Sequence, residues 1–253
     1  MKKVFAFALV LAMALCAVAY AEETAVTTYA EFTEAEVGTT VTIETYVQAK
    51  QGWWKDQATI YTQNEEGAYF LYNMPISQED YDLLVPGTKI RVTGDKAEWA
   101  GEVELSFPAA DELEEGEKVY EILEGEYVAE ATDVTALLGT DELVNEMNKK
   151  VSFKGLTVES YTYTDGDAAT DTGAAFAYGW NGSGEEGTDA DLYFQASIDG
   201  TTYTFTVEYY LCNETTEVYD AVRSLNVGDV IDLEGFLYWY NGANPHITAV
   251  TVK

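Results

Sequence analysis

Alternating apolar and polar residues are the main pattern along this chain. The apolar residues Val41, Ile43 and Val47 stand at odd-numbered positions, and polar residues stand between them. This alternation predicts a half-buried strand over residues 39–48. Four further β-rich runs follow in the first half of the chain: residues 58–63, 68–74, 88–93 and 102–107.

One helix is predicted between the third and fourth of these strands. Ser77 is a typical N-cap residue with acidic residues in the turn after it, and the helix ends before Pro86-Gly87. The order β-β-β-α-β-β is that of the OB-fold, a small five-stranded Greek-key barrel.

The second half repeats this order at a constant offset. Gly87, Gly94 and Gly101 correspond to Gly228, Gly235 and Gly242, and an aromatic residue precedes the last glycine of each set by two positions. A two-copy repeat explains this register. The second copy is predicted to have strands at 151–162, 191–198, 203–211, 230–237 and 246–252, with a helix after Asn213.

Through the segment Tyr81-Asp82-Leu83-Leu84-Val85-Pro86-Gly87 and Gly94, the chain resembles uncharacterised secreted bacterial proteins with tandem OB-fold domains. The resemblance implies a mainly β protein of two tandem OB-like five-stranded barrels, each with a short helix between strands 3 and 4. It implies no particular activity, because OB-folds serve many functions. One continuous β-sandwich of about ten strands remains the alternative architecture.

The N-terminus is typical of a secretory signal peptide. Lys2 and Lys3 precede an apolar run over 4–18, and Ala19-Tyr20-Ala21 is a typical cleavage site. We therefore expect a secreted protein, extracellular or periplasmic. The predicted domains are a signal peptide at 1–21, a first OB-like domain at 22–118, and a second at 119–253 with a long insertion at 164–190.

Acidic residues greatly outnumber basic ones. The chain has 45 Asp and Glu against 13 Lys and Arg, a formal net charge of −32. This charge repels phosphate backbones, so we expect no nucleic-acid partner. After the signal, no apolar run approaches the ~18 residues of a membrane span, so we expect no membrane insertion. The hydrophobic content of 47% can still form a core, and we expect a folded monomer.

The inventory of reactive side chains argues against an enzyme. His246 is the only histidine, so a zinc site built from several His and Cys ligands cannot form. The same residue would also have to serve as the base of any Ser-His or Cys-His catalytic pair. Asp165, Asp167 and Asp171 alternate as in a calcium loop, but Phe176 stands where that loop needs Glu. We expect no cofactor, with calcium at these three aspartates as the one candidate.

Tryptophans and scarce lysines concentrate in two loops of the first copy. OB-folds bind ligands across strands 2 and 3, between the loop joining strands 1 and 2 and the loop joining strands 4 and 5. In the first copy these loops fall at residues 50–56 and 95–101. With the matching loops of the second copy, the predicted ligand-binding residues are Trp53, Trp54, Trp99, Lys50, Lys55, Lys96, Tyr61, Trp180, Trp239 and Tyr240.

Two interpretations of these aromatic loops remain open. The rings could stack on a sugar, or Trp53, Trp54 and Trp99 could close one barrel end or join the two copies. The leading expectation is a secreted, non-catalytic protein that binds a small molecule or glycan, uncharged or cationic. One alternative is an envelope-associated or protein-interaction module with an extracellular protein partner. Another is a single-stranded nucleic-acid binder, by fold analogy, through a basic group of Lys50, Lys55, Lys89, Arg91 and Lys96.

Overall fold

The first half of the chain forms a closed five-stranded β-barrel. The computed structural model describes residues 25–165 and 168–253. The barrel strands are β1 (Thr40–Lys50), β2 (Gln57–Gln63), β3 (Ala68–Pro75), β4 (Thr88–Trp99) and β5 (Glu102–Ser106). They pair in the order β1-β2-β3-β5-β4, and β4 returns to β1. Only β3 and β5 run parallel to each other within this barrel, among the residues described.

Two short helices accompany the first barrel. Helix α1 (Tyr29–Glu34) begins at Thr28, whose side chain and that of Glu31 form a reciprocal capping box. Helix α2 (Gln78–Leu83) lies between β3 and β4, and the Ser77 hydroxyl accepts a hydrogen bond from the Asp80 backbone N–H. The predicted cap is therefore confirmed.

The second half forms a second closed barrel with the same connectivity. Its strands are β8 (Lys150–Glu159), β12 (Leu192–Ile198), β13 (Thr201–Val207), β14 (Val230–Phe236) and β15 (His246–Val252). They close in the order β8-β12-β13-β15-β14-β8, with β13 parallel to β15. Helix α3 (Glu217–Arg223) separates the third and fourth strands.

The remaining elements lie between and within the barrels. Strand β6 (Tyr120–Glu126) pairs with β4, and β7 (Thr132–Asp133) pairs with β8. The insertion contains β9 (Thr162–Asp165), β10 (Ala168–Asp171) and β11 (Phe176–Tyr178), of which β11 joins β12. Short 3₁₀ turns occur at Ala110–Glu112, Thr135–Leu137 and Asp141–Glu146.

These observations confirm the predicted fold class of two OB-like barrels and exclude the continuous sandwich. The domain division at Lys118 stays a prediction; β6, which follows it, extends the sheet of the first barrel. The predicted signal peptide lies outside the described residues. Across residues 25–165 and 168–253, no helix has the length and apolar character to cross a membrane.

Each barrel has its own hydrophobic core. Ile43, Ile90 and Leu105 are fully buried in the first barrel, and a set of phenylalanines, Phe153, Phe194 and Phe205, fills the second. Burying one such side chain stabilises a fold by about 1.5–3 kcal/mol. The alternation seen in the sequence thus marks the barrel interiors.

A third buried cluster joins the two barrels, and we call it the barrel junction. It consists of Tyr61 and Phe70 from the first barrel and Phe236 from the second. The rings of Tyr61 and Phe236 are 4.7 Å apart, and the Tyr61 hydroxyl shares a 2.6 Å hydrogen bond with Nδ1 of His246. Both polar groups are buried, so replacing either one by an apolar residue would leave the other without water or a partner.

A buried carboxyl group also bridges the barrels. The Glu102 side chain is fully buried, and its Oε2 accepts a 2.8 Å hydrogen bond from the Trp239 backbone N–H. Burial raises the pKa of Glu102 from 4.5 to about 8. Glu102 is therefore largely protonated at neutral pH in the folded protein.

We expect the stability of the protein to fall as the pH rises from about 4.5 to about 8. In this interval folded Glu102 holds a proton that an unfolded glutamate has lost, so ionisation favours unfolding, by on the order of 5 kcal/mol. Glu102→Gln, which imitates the protonated carboxyl, should weaken this dependence in urea unfolding measured across pH, leaving the smaller part that Glu104 and Glu208 cause.

Glu98→Gln is the matched control, because it removes an exposed carboxylate from the neighbouring strand. If the Glu102→Gln and Glu98→Gln variants show the same pH dependence of unfolding free energy, Glu102 does not cause the loss of stability.

Candidate functional site

A groove of about 470 Å³ lies where the loop after β1 meets the second barrel. Three of its side chains are exposed aromatic rings, namely Trp54, Tyr72 and Tyr210, with exposed fractions of 66%, 48% and 62%. Its other lining residues are small or polar: Gln51, Gly52, Gln57, Ala58, Thr59, Asn73 and Asp189. Exposed aromatic rings that are grouped around a concave surface are typical of ligand-binding sites.

A tight turn directs Trp54 into the groove. The Trp54 and Gln57 backbones exchange two hydrogen bonds, of 3.0 and 3.1 Å, across Lys55 and Asp56. Both central residues have positive φ values, 48° and 59°, as in a type I′ hairpin turn. Trp53 points the opposite way, packs against the first core and donates from Nε1 to the Ile76 carbonyl at 2.9 Å.

An irregularity in β3 presents Tyr72 and Asn73. The pairing of β2 with β3 shifts register between Ala58 and Ile60, and Asn73 has a positive φ of 50°. The Asn73 backbone N–H donates to the Thr59 hydroxyl at 3.2 Å, which fixes this bulge. The bulge exposes Tyr72 while Phe70, two residues earlier, stays in the barrel junction.

The opposite wall comes from the second barrel. The Gly52 N–H donates to the Tyr210 carbonyl at 2.9 Å, and Gln51 Nε2 donates to Glu208 Oε2 at 3.0 Å. The Glu208 carboxylate also accepts from the backbone N–H groups of Tyr210 and Leu211. Burial raises the pKa of Glu208 to about 7. The groove therefore exists only where both barrels are present.

The groove carries little charge. Among its lining residues in the described part of the chain, Asp189 is the one carboxylate and no lysine or arginine takes part. Lys55 lies beside the groove, with Nζ 5.3 Å from the centre of the Trp54 ring. The site can therefore stack flat rings, donate and accept hydrogen bonds, and offer one negative charge.

Two residues predicted to contact ligand are buried instead. Lys96 Nζ donates to the carbonyls of Phe32, Thr33 and Ala35 at 2.8–2.9 Å, where it satisfies carbonyl groups at the end of α1. Tyr61 is fully buried in the barrel junction. Their assignment to a ligand site is wrong, because an ordinary alternation pattern does not reveal which outward-facing residues a second domain or a helix covers.

The other predicted residues are dispersed. Lys50 donates from Nζ to the Tyr81 carbonyl and lies 3.7 Å above that ring, so its charge is already engaged. The loops carrying Trp99 and Tyr240 meet through a 2.6 Å hydrogen bond from Asn241 N–H to the Ala100 carbonyl. Trp99, Trp180 and Tyr240 are exposed and Trp239 is half-buried, and all four lie outside the groove lining.

Of the predicted residues, only Trp54 lines the groove, with Lys55 beside it. Tyr72 could have been found from the alternation along β3, because Tyr69 and Leu71 face the core and Tyr72 therefore faces outward. Tyr210 and Asp189 carry no local signal, because only the packing of the two barrels brings them opposite Trp54.

The predicted calcium site lies partly outside the described residues, at Asp167 and the side chain of Asp165. Asp171 accepts hydrogen bonds from the Ser160 hydroxyl and the Gly173 N–H, which lower its pKa. Within the part that the structure describes, no three His, Cys, Asp or Glu side chains gather as metal ligands. Calcium binding stays a prediction.

No protein family and no curated protein matches the sequence. Solved structures similar to this chain include the HINb domain of p204, with 10% identity, a TM-score of 0.35 and coverage of 87% of this chain and 100% of that one. The HIN2 domain of tetrameric p202 has 10% identity, a TM-score of 0.32 and coverage of 86% and 96%. A deletion mutant of the single-stranded DNA binding protein from Thermus aquaticus has 14% identity, a TM-score of 0.23 and coverage of 86% and 95%.

The net charge did not justify the exclusion of nucleic acid as a partner, and one of the similar structures is a single-stranded DNA binding protein. The net charge is a property of the whole chain, whereas binding depends on local surfaces. The OB-like barrels implied by the sequence are observed; secreted bacterial origin stays a prediction.

We expect Lys96→Met to destabilise the protein by about 1–3 kcal/mol, because it leaves carbonyl groups near the end of α1 without their donor. Urea unfolding measures the change. Lys55→Met is the matched control at an exposed position and should change stability by less than about 0.5 kcal/mol. Equal effects of the two substitutions would contradict a structural role for Lys96.

Proposed function

We propose that the protein is an exported, non-catalytic binding protein whose groove holds a sugar ring of a glycan. The observation that carries this proposal is the grouping of Trp54, Tyr72 and Tyr210 as exposed rings around one concave surface. The apolar face of a sugar stacks on such rings, while its hydroxyls need polar partners at the edges.

The polar lining supports a ligand rich in hydroxyl groups. The amide side chains of Gln51, Gln57 and Asn73 each carry donor and acceptor groups. The Thr59 hydroxyl is buried and already hydrogen-bonded to Asn73. Gln51 already donates to Glu208 and Asn73 is held by Thr59, so these groups are oriented before a ligand arrives. Preorganised polar groups lower the entropy lost on binding.

The size and position of the groove also support the proposal. A volume of about 470 Å³ falls in the range of small-ligand sites, roughly 300–1,000 Å³, and would accommodate a few sugar rings. The loop after β1 and strands β2 and β3 form its first wall, which is the surface that OB-folds use for oligosaccharides and oligonucleotides. Export is supported by the signal-like residues 1–21.

Single-stranded nucleic acid is the second candidate ligand. The observation that favours it is the same set of exposed rings, because bases of any sequence stack on aromatic side chains. Lys55, beside Trp54, is the cation nearest to that ring for a phosphate. We prefer a glycan because the groove lining contains amide groups, which can bind sugar hydroxyls, and the carboxylate of Asp189, which would repel a phosphate.

We expect Trp54→Ala to weaken ligand binding about tenfold or more while leaving the fold intact. Stacking on one ring is worth about 1–3 kcal/mol, and the Trp54 side chain is mostly exposed. Titration calorimetry with a panel of oligosaccharides and a single-stranded oligothymidine measures the affinity, and circular dichroism checks the fold.

Trp99→Ala is the matched control, because Trp99 is equally exposed, at 64%, but lies outside the groove lining. Trp54-dependent binding of the oligothymidine alone would replace the glycan by the second candidate. Binding of neither class, or equal affinities of the Trp54→Ala variant and the unchanged protein, would refute the proposed function.

A further inference from the structure

Asp189 is held in a defined position at the edge of the groove. The residues that follow it are anchored: the Ala190 carbonyl accepts from the Tyr219 hydroxyl at 2.8 Å, and Asp191 Oδ1 accepts from the Tyr209 N–H at 2.8 Å. Asp189 itself has a positive φ of 52°, a conformation that Asp and Asn adopt more readily than most residues. Its side chain is exposed in the groove wall.

The charge of Asp189 is not neutralised by a neighbouring lysine or arginine. None of the ion pairs among the residues described here includes Asp189, although most basic side chains of the chain are engaged in such pairs. Lys55, on the opposite wall, is directed over the Trp54 ring. The groove thus offers a carboxylate without a counter-ion next to three exposed rings.

The surroundings reinforce this negative character. The whole chain has a formal charge of −32 at pH 7. A field of this sign raises the local concentration of cations, and aromatic faces attract cations as well. A ligand with both a sugar ring and a positive charge matches all of these features.

We propose that the groove selects amino sugars, that is, glycans whose free amines are protonated, through an ion pair with Asp189. This inference rests on the proposed function and specifies the class of ligand that the groove binds. The sugar ring stacks on the aromatic side chains, and the ammonium group donates to the Asp189 carboxylate. Charge-assisted hydrogen bonds of this kind are about twice as strong as neutral ones.

The test compares tetramers of glucosamine and of N-acetylglucosamine in mildly acidic buffer. They share a sugar ring, but the first carries protonated amines where the second carries neutral acetamides. Calorimetry at low salt should show the glucosamine tetramer binding about tenfold more tightly. In Asp189→Asn the ratio of the two affinities should fall to about one, and in the unchanged protein it should decline as salt is added. Asn retains the backbone conformation, so the variant should fold.

Asp199→Asn is the matched control. Asp199 is an exposed aspartate of the second barrel with a φ of 51°, but it lies in the turn between β12 and β13, outside the groove lining. This variant loses the same charge and should keep the tenfold preference.

Equal affinities of the unchanged protein for the two tetramers, or a preference that survives Asp189→Asn, would overturn the amino-sugar inference. In either case, Trp54-dependent binding of both tetramers would leave the proposed function standing. If neither tetramer binds, the amino-sugar inference fails; the proposed function then stands only if another oligosaccharide binds in a Trp54-dependent manner.

Discussion

The buried contact between the two barrels is the constraint on which the candidate site depends. Tyr61 packs on Phe236 and shares a hydrogen bond with His246, so the outward face of β2 is closed by the second barrel. Just beyond this contact, Gly52 reaches the Tyr210 carbonyl. The groove is the unfilled end of the interface, and its two walls belong to different copies of the repeat. Neither barrel alone could form it.

The acidity of the chain has different consequences inside and outside this interface. Glu102, Glu104 and Glu208 are largely removed from water near the second barrel, and burial raises the pKa of each, to between about 7 and about 8. Two of these carboxyls link the barrels: Glu102 accepts a hydrogen bond from the Trp239 backbone N–H, and Glu208 accepts one from the Gln51 side chain. Asp189, by contrast, faces the solvent in the groove, where its charge is available to a ligand. Whether an acidic side chain serves the interface or is free to bind a ligand therefore depends on its position, not on the net charge of the chain.

Much of the fold could be predicted because the signals were local. The parity of Val41, Ile43 and Val47, the Ser77 cap and the repeated glycines all reflect interactions within one barrel. The site was less accessible to such reasoning. Adjacent residues Trp53 and Trp54 look equivalent in the sequence, yet the turn between β1 and β2 sends one into the core and the other into the groove.

The same limit explains the errors at Lys96 and Tyr61. Both lie on strands where the barrel pattern allows an outward side chain, but α1 covers the first and the second barrel covers the other. Tyr210 and Asp189 are far from Trp54 along the chain, and their approach follows from how two domains pack. The sequence repeat reveals that there are two barrels but carries no information about the angle at which they meet.

If one ligand contacts both barrels at this groove, nuclear magnetic resonance of the ¹⁵N-labelled protein should show residues of both barrels responding to it. The chain has five tryptophans, each with one indole N–H group. On titration with a glucosamine tetramer, we expect shifts at the Trp54 indole and at the Gly52 and Tyr210 amides, with the Trp99 and Trp180 indoles unmoved. Shifts confined to one barrel, or centred on Trp99 or Trp180, would contradict this expectation.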